Sequence, residues 1–144
     1  MSTRTIVLDT NVLVAGLLNP HGPPGRLVDL IVAGEVRVAY DDRLLAEYRE
    51  VLTRPKLPFD PDDVQELLRT LTSDGLPVVA RPSGAALPDP DDLPFLEVAT
   101  AARADALVTG NLRHFPSRCR PPGLRVEAPA VFLDHLVRQR EGAG

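Results

Sequence analysis

An α/β fold, with a parallel sheet covered by helices on both faces, is predicted for this chain of 144 residues. Two observations predict it. Short apolar, β-branched segments alternate with stretches of helical periodicity from one end of the chain to the other. Two of those segments also end in polar residues, at the edge where parallel sheets gather ligands. The length suits one domain, taken as residues 1–144 with a core over about 4–137 and a short tail at 138–144.

Thr5-Ile6-Val7-Leu8 is apolar and β-branched and ends at Asp9, which reads as a buried strand delivering a carboxylate at its C-terminal edge. Val12 to Leu18 is helical and is stopped by Asn19-Pro20 and the turn-rich His21 to Gly25. Leu27, Leu30 and Ile31 repeat at helical spacing until Gly34, and Val36 to Ala39 alternates as a second strand. Asp41 or Asp42 caps a helix bearing the stripe Leu44, Leu45, Tyr48, Val51 and Leu52, which Arg54-Pro55 ends. Asp60-Pro61 opens another helix, with proline in its first turn, carrying Val64, Leu67, Leu68 and Leu71 as far as Asp74-Gly75.

Leu76 to Ala80 reads as a third strand and Arg81 to Pro90 as a loop. Asp91 or Asp92 then caps a helix that turns Phe95, Leu96, Ala99 and Ala102 inward. Ala106 to Val108 is the fourth strand, running into Thr109-Gly110-Asn111; Leu124 to Val126 is the fifth; Ala130 to Arg140 is a final amphipathic helix. Fifteen prolines punctuate loops and helix starts, and no repeat or linker interrupts the pattern.

A 44% hydrophobic, 25% charged composition excludes disordered, collagenous and coiled-coil classes. The single cysteine, Cys119, permits neither an internal disulfide nor a thiolate metal cage, which suits a reducing cytoplasm. Any metal must therefore sit on oxygen or histidine. Asp9 and Asn11 cut the first apolar stretch far short of a signal-peptide core, and no apolar run approaches the roughly 18 residues of a membrane span. A net charge of −4 disfavours coating nucleic acid by bulk charge but leaves an enzyme acting on it open.

Polar residues ending strands are the first suspects for chemistry: Asp9 with Thr10 and Asn11, then Thr109, Gly110 and Asn111. Asp9 and Asn11 could equally serve only to cap the following helix. Glu47 and Glu50 project on one side of their helix beside the apolar stripe. Glu50 suits a solvated flank with Arg49 or Arg54 as partner; Glu47, bracketed by Leu44, Tyr48 and Val51, is better placed to turn inward. Of Asp89, Asp91 and Asp92, two serve as turn and cap residues and one is free to reach a site. Carboxylates gathered without lysine attract a hard divalent cation such as Mg²⁺ or Mn²⁺. Residues 112–126 hold Arg113, Arg118, Arg120 and Arg125 with no Asp or Glu, a run suited to bidentate phosphate contacts.

In order along the chain stand Val-Leu-Asp9-Thr-Asn11, then Leu-Leu-Ala-Glu47-Tyr-Arg-Glu50-Val-Leu-Thr-Arg-Pro-Lys, then Asp-Pro-Asp-Asp92-Leu-Pro-Phe-Leu-Glu, then Leu-Val-Thr109-Gly-Asn111-Leu-Arg-His-Phe. This ordered set resembles the PIN-domain proteins, and within them the bacterial toxins of toxin–antitoxin pairs. The resemblance implies a three-layer α/β/α fold around a mostly parallel five-stranded sheet. It also implies Mg²⁺- or Mn²⁺-dependent endoribonuclease activity, an antitoxin partner and homodimers. By the same resemblance Asp9, Glu47 and Asp92 are the acidic metal ligands and catalytic residues, with Asp92 preferred to Asp91 because it stands three residues before Phe95. Thr109 matches the hydroxyl after the fourth strand, and Asn11, Glu50 and Asp91 are supporting positions. The chain departs from the pattern at Asn111, where many family members have Asp; its amide still offers a carbonyl oxygen that can ligate through water, with one negative charge lost, and the alternative acidic position is His114. The departure keeps a second reading open, a catalytically weakened RNA- or protein-binding module of the same fold.

Overall fold

A computed structural model describes residues 3–143. Its elements are β1 (Arg4–Leu8), α1 (Thr10–Leu18), α2 (Pro23–Val32), β2 (Val36–Tyr40), α3 (Asp42–Leu52), α4 (Pro61–Asp74), β3 (Leu76–Pro77), α5 (Leu93–Ala102), β4 (Ala106–Val108), β5 (Arg125–Glu127) and α6 (Pro129–Ala143). Short 3-10 turns at Pro90–Asp92, Leu112–His114 and Ser117–Cys119 fill two of the connections. The sheet order is β3-β2-β1-β4-β5 and every pairing is parallel. The α/β class and the five strands are as the sequence predicts.

The chain winds outward from β1 to β3 and then crosses back to β4. Because such crossovers are right-handed, the reversal places the returning helix on the opposite face. The packing agrees: α4, α2 and α6 contact one another in series, whereas α5 packs on β1, β2 and β4. Ile6, Val7, Leu8, Ala106, Leu107 and Val108 are completely buried between the layers, as central parallel strands must be. The point of reversal lies between β1 and β4, where an open α/β sheet leaves a crevice beyond its strand ends.

Several boundaries differ from expectation, each for a local reason. The third strand stops at Pro77 rather than Ala80. It is an edge strand, its partner β2 ends at Tyr40, and beyond the Val78 N–H bond to Tyr40 O (2.9 Å) Val79 has nothing to pair with and is 95% exposed. The second helix begins at Pro23, four residues before Leu27, because two prolines suit a first turn whose N–H groups need no partner. Gly25 permits that start, since a Cβ there would collide with the Pro20 carbonyl. The fifth strand lies one residue later than predicted, Leu124 being used to close a turn onto Pro121 O (3.2 Å).

Asp41 caps α3 through Arg43 N (3.0 Å) and Leu44 N (3.1 Å). The fifth helix is different: neither Asp91 nor Asp92 caps by its side chain. Asp89 Oδ1 takes the Asp91 N–H (2.9 Å), and the 3-10 turn that follows leaves the Asp92 carboxylate uncommitted. Among the described residues no helix is long and apolar enough to cross a membrane.

Candidate active site

The register pairs Leu8 with Val108, so Asp9 and Thr109 leave adjacent strands side by side. Asp9 N–H completes the ladder on Val108 O (2.9 Å), and Thr109 N–H continues it onto Glu127 O (3.0 Å). Both side chains are buried, and Thr109 Oγ1 donates to Asp9 Oδ2 at 2.7 Å. The same hydroxyl accepts the Asn111 N–H at 3.0 Å, so the loop after β4 closes over it. Asp9 occupies the N-cap position of α1, yet its side chain makes no capping hydrogen bond. Burial raises its pKa above the ordinary 3.8, outweighing the Thr109 hydroxyl, the Asn11 and Thr10 N–H groups and the His114 charge, which favour the ionised form.

Asp92 lies beside this pair. Burial, then the Asp9 charge, raise its pKa from 3.8 to about 6 against the opposing effect of His114. His114 Nδ1 stands 3.0 Å from Asp92 Oδ2, but poorly aligned, so that buried oxygen has no hydrogen-bond partner. Asp91, by contrast, is exposed. Glu47 is half-buried on α3 and accepts a hydrogen bond from the Thr10 hydroxyl, which ties the second acid to the residue after the first. Beneath them the Tyr48 hydroxyl, fully buried, donates to Leu8 O at 2.5 Å. Burial first, and then the charges of Asp9, Glu47 and Asp41, hold that phenol well above pKa 10.

The remaining sequence-derived residues divide. Asn11 Oδ1 receives the Gly110 N–H (3.4 Å), linking the loops after β1 and β4. Asn111 is exposed and contributes its backbone, not its amide, to the cluster. Glu50 is 62% exposed and pairs with Arg54 Nη2 at 2.8 Å, away from the acids. The four arginines of 112–126 do not form one free surface. Arg120 Nε donates to Phe115 O (2.8 Å) and Arg125 Nε pairs with Glu127 (3.3 Å), leaving Arg113 and Arg118 exposed. A run of one sign in sequence is broken here by two 3-10 turns that point its members apart.

Two contributors escaped sequence reasoning. His114 enters the site as a neighbour of Asp92; its position, where the family pattern allows an acid, was the available signal. Glu127 at the end of β5 is buried with Oε2 unpartnered beside His135 (2.8 Å to Oε1), and nothing in an ordinary strand pattern marks it.

In the arrangement described, no three His, Cys, Asp or Glu side chains converge closely enough to hold a metal ion among the described residues. Glu47 is turned onto Thr10. The donor chemistry of the other two acids nevertheless fits a divalent cation. A buried Asp9 and a half-buried Asp92 are both held above the ordinary carboxylate range, the Asp9 charge acts on Asp92, the basic group acting on both is a histidine, and Asp92 Oδ2 lacks a hydrogen-bond partner. A parallel α/β sheet with paired acids at its switch point defines a class of hydrolytic and phosphate-handling sites.

The PIN domain family matches residues 5–113, and the chain belongs to that family, whose members are generally nucleases using divalent metal ions. An uncharacterized protein of Methanocaldococcus jannaschii is 30% identical over 109 residues, covering 74% of this chain and 70% of the relative. In solved structures, a chain of the VapBC2 complex from Rickettsia felis bound to a DNA fragment from their promoter superposes with a TM-score of 0.55 at 20% identity. That superposition covers 86% of this chain and 98% of the other, and it shows the same fold.

Proposed function

We propose that this chain is a Mg²⁺- or Mn²⁺-dependent endoribonuclease, the toxin of a toxin–antitoxin pair acting in the cytoplasm. The observation that carries the reading is the pair of a buried Asp9 and a half-buried Asp92 at the switch point, with a carboxylate oxygen lacking a hydrogen-bond partner and a pKa of about 6 on Asp92. In this reading Asp9 and Asp92 hold the ion and Glu47, released from Thr10, is the third acid. A bound ion would acidify a water and offset charge building on the phosphoryl oxygens.

The chain's own part is positioning. Thr109 pins Asp9 Oδ2, which leaves the other oxygen for the ion. Asn11 and Gly110 hold the two site loops together, and His114 moderates the charge on Asp92. Tyr48 stiffens the end of β1 from below without titrating near neutral pH. Asn111 supplies one negative charge fewer than the family pattern, which favours one firmly held ion over two. Domain limits of 1–144 belong to the same proposal.

The toxin reading is supported by family membership and by the likeness to the VapBC2 chain. It expects growth arrest on induction, relieved by co-expression of the neighbouring open reading frame. A homodimer is expected by light scattering. The apolar faces of α1 and α2 are spent on the core, so exposed Leu18 and Val32 on those helices, with Val131 and Val137 on α6, are available for such a contact.

The decisive experiment is cleavage of a mixed RNA panel by purified protein with Mg²⁺, Mn²⁺ or EDTA, beside Asp9→Asn. Cleavage that needs the ion and is lost in the variant is expected. Equal cleavage by the variant sinks the assignment. No cleavage under any condition favours the non-catalytic RNA- or protein-binding module, for which the engaged Glu47 is the supporting observation.

A further inference from the structure

A cleft of about 790 Å³ lies along the outer side of α5, between that helix and the loops carrying residues 79–83 and 118–121. Arg81, Arg103, Arg118 and Arg120 line it, drawn from three separate parts of the chain. Arg81, Arg103 and Arg118 are exposed and, among the described residues, make no ion pair or side-chain hydrogen bond; Arg120 spends one N–H on a backbone carbonyl. The one carboxylate in the lining, Glu97, is already neutralised by Arg43 Nη1 (2.7 Å) and also receives the Ser83 N–H (2.6 Å). The cleft is therefore a concentration of free guanidinium groups in a protein whose net charge is −4.

Arg103 adds an independent observation. It ends α5 in the left-handed conformation (φ 50°) and is the one non-glycine residue with positive φ among the described residues. Glycine is the usual choice at that position because a Cβ is strained there. A free guanidinium is thus held where glycine would be less strained.

We propose that this cleft binds the phosphate backbone of a single-stranded RNA and holds it for the acid pair; the inference rests on the ribonuclease reading above. Guanidinium forks match phosphate oxygens bidentately. No aromatic side chain lines the cleft, so bases gain no stacking platform and recognition falls on the backbone without sequence preference. The placement also fits a substrate track. Asp92 immediately precedes α5 and Arg103 immediately follows it, so the acids and the far end of the cleft are about 15 Å apart along one ten-residue helix. Several nucleotides of single strand span that length.

The test measures binding apart from cleavage. Asp9→Asn protein in EDTA is titrated with a fluorescently labelled 12-nucleotide RNA of mixed sequence across a salt series. Adding Arg81→Gln and Arg118→Gln is expected to weaken binding at least tenfold. The slope of log affinity against log salt should fall by about 1.4, since each phosphate contact on a single strand contributes about 0.7. Arg26→Gln with Arg140→Gln, which removes two charges from the α2 and α6 side, should change neither. In the same protein RNA should slow alkylation of Cys119, which lines the cleft and is the chain's one cysteine. Unchanged affinity and slope in the Arg81/Arg118 variant overturns the proposal, as does competition by polyglutamate as effective as RNA. If the parent binds RNA through the cleft but cuts none, the nuclease reading falls and the cleft assignment stands.

Discussion

Replacing Asp92 by Asn should make the metal-free protein more stable while abolishing its activity. The rise in pKa from 3.8 to about 6 means that the folded state holds the Asp92 proton more tightly than the unfolded chain. The stabilisation from that proton is fully present below pH 3.8 and is lost as pH rises through about 6, so at pH 7.5 the charged carboxylate is a net burden. At about 1.4 kcal/mol per tenfold change in acidity constant, its ceiling is about 3 kcal/mol. Solvent reaches this half-buried group and screens part of that, and the variant also forfeits the attraction of His114. A net gain of about 1–2 kcal/mol is expected, which for a chain of this size raises Tm by roughly 3–6 °C. Thermal unfolding by circular dichroism in EDTA, from pH 4 to pH 8, measures it: the parent should lose more stability between pH 4 and 6 than the variant, in which the raised Asp9 carboxyl still contributes. Adding Mg²⁺ should stabilise the parent selectively, by about 2.7 kcal/mol at a hundred times its dissociation constant. A variant less stable than the parent in EDTA at pH 7.5, or one whose slope between pH 4 and 6 equals the parent's, refutes the picture of a desolvated Asp92 beside the Asp9 charge.

Thr109→Val deletes the hydroxyl on Asp9 Oδ2 in a fully buried position; a loss of about 1–3 kcal/mol in urea unfolding is expected, with weaker Mn²⁺ binding by calorimetry. Glu97→Ala leaves Arg43 to Asp41 alone and strands the Ser83 N–H, and a cost of about 1–3 kcal/mol by chemical denaturation is expected with little change in RNA affinity. Arg103→Gly relieves the left-handed strain and should raise stability by about 1 kcal/mol, while RNA binding to the Asp9→Asn background weakens.

Strand ends and helix stripes were legible because they follow from periodicity: the apolar run up to Leu8 put Asp9 at a strand end, and the fourth strand did the same for Thr109. That the two touch is a consequence of register, which periodicity alone does not reveal. Glu47 could be turned inward from its neighbours Leu44, Tyr48 and Val51, but its bond from Thr10 spans 37 positions and depends on how α1 and α3 pack. The capping of α5 was misread because Asp89, Asp91 and Asp92 are chemically equal as caps; the 3-10 turn at Pro90–Asp92 decides among them. The arginine run failed for a related reason. Sequence counts charge along the chain, whereas the free guanidinium groups gather across it, with Arg81 and Arg103 joining Arg118 and Arg120 from distant segments.

The departure at Asn111 can now be weighed against what replaced it. A fourth acid at that position would add a negative charge to a site where two carboxylates are already held above their ordinary range. The chain instead leaves Asn111 in solvent and brings His114, three residues on, to Asp92. The His114 imidazole stands 3.0 Å from Asp92 Oδ2, and its charge opposes the rise in pKa of both acids. Restoring the acid tests the trade: Asn111→Asp should lower the stability of the metal-free protein, because it adds repulsion without a partner. If its side chain turns from solvent toward the acid pair, Mn²⁺ should bind more tightly. Unchanged stability and unchanged Mn²⁺ affinity together would place residue 111 outside the electrostatics of the site and leave His114 as the group that sets its charge.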